Sequence, residues 1–153
     1  MPRETMRPAI ENFFAAKAFG VVGASRNRKK FGNAVFREMK QRHLTVFPVN
    51  PHADSVEGTP CLSGVMDLPE GVEAVVTVVP PEQTLRVVEE CRQRGIRSLW
   101  MQPGSQSSQA ISAARSYGMN VVHGECILMF LEPVSSMHSF HRWLRKLIGR
   151  YPR

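Results

Sequence analysis

Five short apolar runs, at residues 19–22, 44–49, 74–79, 98–101 and 120–123, recur between stretches of helical spacing. Runs this short, rich in Val and Phe and closed by Gly, Pro or Asn, read as strands buried on both faces. Strands that alternate with helices of about a dozen residues join by right-handed crossovers into a parallel sheet covered on both sides. The fold class that follows is α/β, a doubly wound parallel sheet of about five strands in three layers, α/β/α. Counting the five runs in chain order, we expect the strand order 3-2-1-4-5. A chain of 153 residues with 42% hydrophobic content can build one core, so residues 1–153 are expected to form a single domain.

The intervening segments support that rhythm. Residues 10–18 place Ile10, Phe13 and Phe14 at helical spacing. Residues 31–42 place Phe31, Val35, Phe36 and Met39 on one stripe. Pro80-Pro81 closes the third run and opens a helix over 82–94, with Leu85, Val88 and Cys91 facing inward. A further helix is expected over 107–117. Residues 52–70 are turn-rich, with a short strand at 59–61 and a helical turn at 64–68. A basic amphipathic helix is expected at about 135–149, with Phe140, Trp143, Leu144, Leu147 and Ile148 on its apolar side. Docking on its own domain is the expected use of that helix, with a protein partner, a homo-oligomer or an anionic surface as alternatives.

The net charge of +7 favours anionic ligands in general. Its distribution is more specific: Arg26, Arg28, Lys29 and Lys30 cluster after the first run, a second group lies near the C-terminus, and residues 54–90 are acidic. A continuous basic face with aromatic platforms or a recognition helix is not legible, so nucleic acid is not an expected partner. No run is long enough to span a membrane, and a cytoplasmic location is expected. Cys61, Cys91 and Cys126 lack metal-ligand or disulfide-framework spacing and are expected to be reduced thiols.

In a doubly wound sheet, ligands bind beyond the carboxyl ends of the strands, beside the first one. That rim comprises residues 23–30, 49–51, 79–81, 102–105 and 123–126. Gly23-Ala24-Ser25 lets backbone approach a ligand, and the helix that follows offers unpaired N–H groups to an anion. A nicotinamide or flavin dinucleotide suits such a fold, but two residues argue against it. Ser25 stands where the fingerprint needs its second glycine, and the second run ends in Pro48-Val49-Asn50-Pro51 where an acid should hold the ribose diol. The cations favour a nucleotide richer in phosphate.

Together Val22-Gly-Ala-Ser25 with Lys29-Lys30 and Gly32, Pro48-Val-Asn-Pro51, Val78-Val-Pro-Pro81, Gln102-Pro-Gly104 and Gly124-Glu-Cys126 resemble a known family. It is that of the small single-domain CoA-binding proteins, related to the Rossmann-like CoA-binding domain of the succinyl-CoA synthetase α subunit. The resemblance implies CoA or an acyl-CoA as ligand, with Gly23, Ala24 and Ser25 at its phosphates and Lys29 or Lys30 neutralising one. It further implies Val49 and Asn50 beside the adenosine and Val79, Pro80 and Pro81 along the pantetheine. Arg26, Gly32, Pro51, Gln102, Gly104 and Cys126 complete the candidate binding set. A synthetase also needs a phosphorylatable His on a second domain and a partner subunit, so ligase chemistry is not expected of this chain.

Catalytic groups are hard to place. Ser25 lacks a sequence-adjacent base, and serine in such a turn ordinarily donates to phosphate. Cys126 sits where the thiol end of CoA could reach, although a free Cys is ordinarily a small buried hydrophobe. His123 ends the last run, where a lone His is ordinarily a hydrogen-bonded rim residue, and His138 with His141 lacks the further ligands of a metal site. The expectation is therefore CoA binding without catalytic machinery of its own. The alternatives are an NADP-linked oxidoreductase, an acyl-CoA-dependent enzyme using Cys126, and an interaction module recruiting an acidic partner through the C-terminal helix.

Overall fold

The computed structural model describes residues 6–131. In chain order the elements are α1 (Arg7–Phe14), β1 (Ala18–Val22), α2 (Phe31–Gln41), β2 (Thr45–Val49), β3 (Ser55–Val56), β4 (Thr59–Pro60), β5 (Ala74–Thr77), α3 (Pro81–Arg94), β6 (Ser98–Met101), α4 (Ser108–Ser116) and β7 (Asn120–His123). Single 3-10 turns lie at Val65–Asp67 and Ile127–Met129. The expected C-terminal helix at 135–149, with His138 and His141, lies outside the described residues.

Five strands form one parallel sheet in the order β2-β1-β5-β6-β7, which corrects the expected 3-2-1-4-5. The third long strand, β5, pairs with β1 on the side opposite β2. Pro48 supplies the reason. Its carbonyl accepts from Leu62 N at 2.9 Å on the side away from β1, so its missing N–H faces that side as well. A strand lacking a donor there belongs at the edge of a sheet, where no ladder bond is lost. The chain then returns over residues 50–73 to the far side of β1, and the switch point falls between β1 and β5.

Side chains alternate along the strands and build two apolar layers. Phe19, Val21, Ala74, Val76, Trp100 and Val122 face α1 and α2. Val75, Leu99, Met101 and Val121 face α3 and α4. Trp100 is fully buried among Phe13, Phe14 and Phe130, with ring centroids 5.3–5.7 Å away, and its Nε1 donates to the Glu125 carbonyl at 2.8 Å. Truncating such a residue to alanine costs about 3–5 kcal/mol.

Two of the expected helix faces change. On α2 the inward stripe is Gly32, Val35, Phe36 and Met39, while Phe31 is 44% exposed. The spacing of that stripe is ideal only when a glycine is admitted to it. On α3 the buried positions are Thr84, Val87, Val88 and Cys91, and Leu85 is half-buried. The leading helix starts at Arg7, earlier than expected, with a proline in its first turn where an absent N–H loses nothing. In the turn-rich segment, β3 and β4 pair as an antiparallel hairpin whose two loop residues, Glu57 (φ 49°) and Gly58 (φ 75°), both have positive φ. Such a turn matches strand twist but ordinarily takes Asn or Asp before the glycine. Glu57 is an uncommon choice.

Candidate phosphate-loop site

The carboxyl end of β1 runs into a turn that only glycine can make. Gly23 has φ 114°, and a Cβ there would overlap the Val78 carbonyl that follows β5, 2.7 Å from its carbon. Gly23 N donates to Val49 O at 3.3 Å, tying β1's exit to β2's. Gly32 repeats the logic from the other side, since a Cβ on it would lie 2.8 Å from the Gly23 carbonyl carbon. The first turn of α2 thus rests on the backbone of the turn after β1.

The helix begins without a side-chain cap. Lys30 is the N-cap residue, with extended backbone and no capping hydrogen bond. Among the described residues the first-turn amides of Phe31 and Gly32 have no hydrogen-bond partner, which leaves donors and the positive end of the helix dipole for an anion. Arg26, Lys29 and Lys30 are exposed around this point. Asn27 shapes the loop by donating its N–H to Ser25 Oγ at 3.1 Å and accepting from Lys29 N at 3.0 Å.

Two asparagines brace the loop. Asn50 donates from Nδ2 to Ala24 O at 2.7 Å and accepts His52 N at 2.7 Å, so its side chain joins the end of β2 to the turn. Asn33, fully buried on α2, accepts Ser25 N at 2.7 Å and donates to Ser25 O at 2.6 Å and to Glu57 at 3.0 Å. Glu57 also pairs with Arg28 at 3.3 Å and Arg37 at 3.2 Å. The Asn33 hydrogen bond first, then these arginines against some desolvation, hold its carboxyl below the ordinary carboxylate range. A cavity of about 640 Å³ opens between the loop and the hairpin, lined by Arg26, Arg28, His52, Asp54 and Glu57.

Farther along the rim, Ser105 is buried between Thr77 and Thr84. Its Oγ donates to Thr77 Oγ1 at 2.9 Å and lies 3.1 Å from Thr84 Oγ1, and Thr84 donates to the Ser105 carbonyl at 2.5 Å. Val79 N reaches the same Oγ at 3.4 Å, so this knot fixes the segment that leads into Pro80 and Pro81. Gln102, 2% exposed, accepts Ile127 N at 2.7 Å and donates toward Cys126 Sγ at 3.5 Å. Gly104 turns the chain at φ 93°. The thiol of Cys126 therefore faces an amide, a group that neither takes nor gives protons. His123 lies 3.5 Å from Arg115 on the β7 side.

The structure places the expected residues 23–26, 29, 30, 32, 49–51 and 79–81 around β2, β1 and β5. Gln102, Gly104 and Cys126 follow along the same carboxyl edge at β6 and β7. Asn33, Glu57, Thr77 and Thr84 were not expected. Among the described residues no three His, Cys, Asp or Glu side chains gather as a metal site, and no helix is long and apolar enough to cross a membrane.

A parallel sheet with an uncapped helix seated on a glycine turn at its switch point defines a Rossmann-like α/β domain. Comparison with known proteins makes this specific. Residues 17–132 match the family model described as CoA binding domain, and the chain belongs to that family. It is 27% identical over 143 residues to the ADP-forming acetate–CoA ligase I of Archaeoglobus fulgidus, covering 87% of this chain and 21% of the ligase. An uncharacterised Bacillus subtilis protein, YneT, is 25% identical over 112 residues, covering 73% of this chain and 83% of that one. Among solved structures, a hypothetical protein from Pyrococcus horikoshii superposes with a TM-score of 0.76 at 27% identity, covering 92% of both chains. A conserved hypothetical protein from Pyrococcus furiosus gives 0.72 at 35% identity, covering 74% of this chain and 98% of that one.

Proposed function

We propose that the chain binds CoA or an acyl-CoA along the carboxyl edge of its sheet, without a reaction of its own. The observation that carries this reading is the uncapped start of α2 held against the Gly23 turn, with Arg26, Lys29 and Lys30 beside it. The Ala24 amide, the Ser25 hydroxyl and the amides of Phe31 and Gly32 receive the pyrophosphate, where these donors and the helix dipole act together, while the Ser25 N–H stays bonded to Asn33. Lys29 or Lys30 neutralises the 3′-phosphate. Val49, Asn50 and Pro51 flank the adenosine, and Val79 to Pro81 line the pantetheine, directing the thiol toward Gln102, Gly104 and Cys126. Family membership supports the ligand, and the missing acid after β2 supports it over NAD.

Thermal melting with CoA, NADPH and NADH tests the reading. A ligand at 100 times its Kd stabilises the folded state by about 2.7 kcal/mol, which at this size raises the midpoint by roughly 5–10 °C. CoA is expected to do so and the nicotinamide nucleotides are not. A shift with NADPH and none with CoA would overturn the assignment.

A further inference from the structure

The hairpin tip holds a feature that its own turn does not explain. Glu57 occupies a left-handed position that suits asparagine, and its side chain is only 8% exposed. Burying a carboxylate at a strained position requires strong compensation. Arg28 and Arg37 both supply it, and Arg37 donates in addition to the Arg28 carbonyl at 3.1 Å. Beside the Arg28 pair, one bond leads from Glu57 toward the Ser25 turn of the loop. Asn33 Nδ2 donates to Glu57 and to Ser25 O, which turns Asn33 Oδ1 toward Ser25 N. The assignment of that amide is unambiguous, because a backbone N–H can only donate and a carboxylate can only accept.

We propose that Glu57 is a positioning residue for the phosphate loop: anchored by Arg28 and Arg37, it orients Asn33, and through Asn33 it sets the backbone of Ser25 before any ligand arrives. The inference rests on the CoA-binding reading for its affinity test, and a ligand-free measurement keeps the two separable. A loop fixed in advance loses less freedom on binding. The hairpin, absent from the parallel sheet itself, thereby acts on the site through one side chain.

Two variants and one control test it. Glu57→Asn supplies the residue this turn favours but falls one methylene short of Asn33. It is expected to keep the fold, to raise hydrogen exchange at the Ser25 amide in the ligand-free protein, and to weaken CoA by about 10–100-fold. Glu57→Gln keeps an oxygen for Asn33 and is expected to preserve Ser25 protection and recover most of the affinity. Lys40→Ala removes another tie between α2 and the hairpin, the 2.5 Å bond from Nζ to Thr59 Oγ1, and is expected to change neither readout. Unchanged Ser25 exchange in Glu57→Asn would overturn the proposal, as would equal losses of affinity in the Asn and Gln variants. Should the unaltered protein fail to bind CoA while Ser25 exchange responds as stated, the ligand assignment falls and the positioning role stands.

Discussion

Replacing Gly32 by alanine is expected to damage ligand binding far more than folding. An ideal Cβ at Gly32 falls 2.8 Å from the Gly23 carbonyl carbon and 3.1 Å from Ala24 N. Carbon atoms meet comfortably at roughly 3.5–4.0 Å, so the start of α2 and the turn after β1 must part by about 1 Å. Neither partner can rotate away, because both are backbone. Overpacking of this kind costs about 1–3 kcal/mol, while exchanging glycine for alanine in a helix returns about 1 kcal/mol. The net loss of about 0–2 kcal/mol lowers the midpoint by no more than roughly 8 °C. The groups forced apart are those proposed to meet the phosphate, and one lost charge-assisted hydrogen bond is about 1.5–3 kcal/mol, or roughly 10–100-fold in Kd. Gly95→Ala provides the contrast. Gly95 caps α3 at φ 80° with nothing within 4 Å of a new Cβ, so its variant loses about 1 kcal/mol of stability and no affinity. Urea unfolding and calorimetric titration of CoA on both variants read the two quantities. Wild-type affinity in Gly32→Ala would refute the reasoning, as would a matching loss in Gly95→Ala.

The double variant Lys29→Ala, Lys30→Ala is expected to weaken CoA by about ten-fold and to affect dephospho-CoA less in a competition titration; equal losses would move those cations to the pyrophosphate. Ser105→Ala removes the hydroxyl that Thr77, Thr84 and Val79 share, and denaturant unfolding should show a loss of about 1–3 kcal/mol. For Glu57 the folded-state pKa lies below its ordinary value of 4.5, so its stabilisation is present above that pH and is lost as pH falls toward the folded value. Glu57→Gln should therefore unfold with a shallower acid limb below about pH 4.5 than the unaltered protein; an identical limb would show that the carboxylate contributes nothing.

Much of the fold was legible because its signals are local. The runs at 98–101 and 120–123 match β6 and β7, since apolar strands bounded by Gly, Pro and Asn leave little ambiguity. The order of strands was not legible in the same way. Right-handed crossovers constrain each connection but do not decide on which side of β1 the third long strand lands. Pro48 carried that information, through the direction in which its nitrogen faces. At the site, the glycine turn and its cations stood out, whereas Asn33 looked like an ordinary polar residue in the first turn of a helix. Its role depends on Ser25 and Glu57, 8 and 24 residues away, and no periodicity encodes such a meeting. Glu57-Gly58 did carry a hairpin signal, weakened because glutamate replaced the usual asparagine. Phe31 misled for the opposite reason: a large apolar side chain outweighed the neighbouring glycine that makes the contact.

An open sheet border invites other chains to add strands to it, which is a route to templated aggregation as well as to dimers. At the carboxyl half of β2 that route is closed. An arriving strand would meet proline where it needs a donor, and would find the Pro48 carbonyl already bonded to Leu62 N and Asn50 N to the Leu62 carbonyl. The residue that places β2 on the border thus also keeps that part of it from recruiting a copy of the chain beside the turn that follows β1.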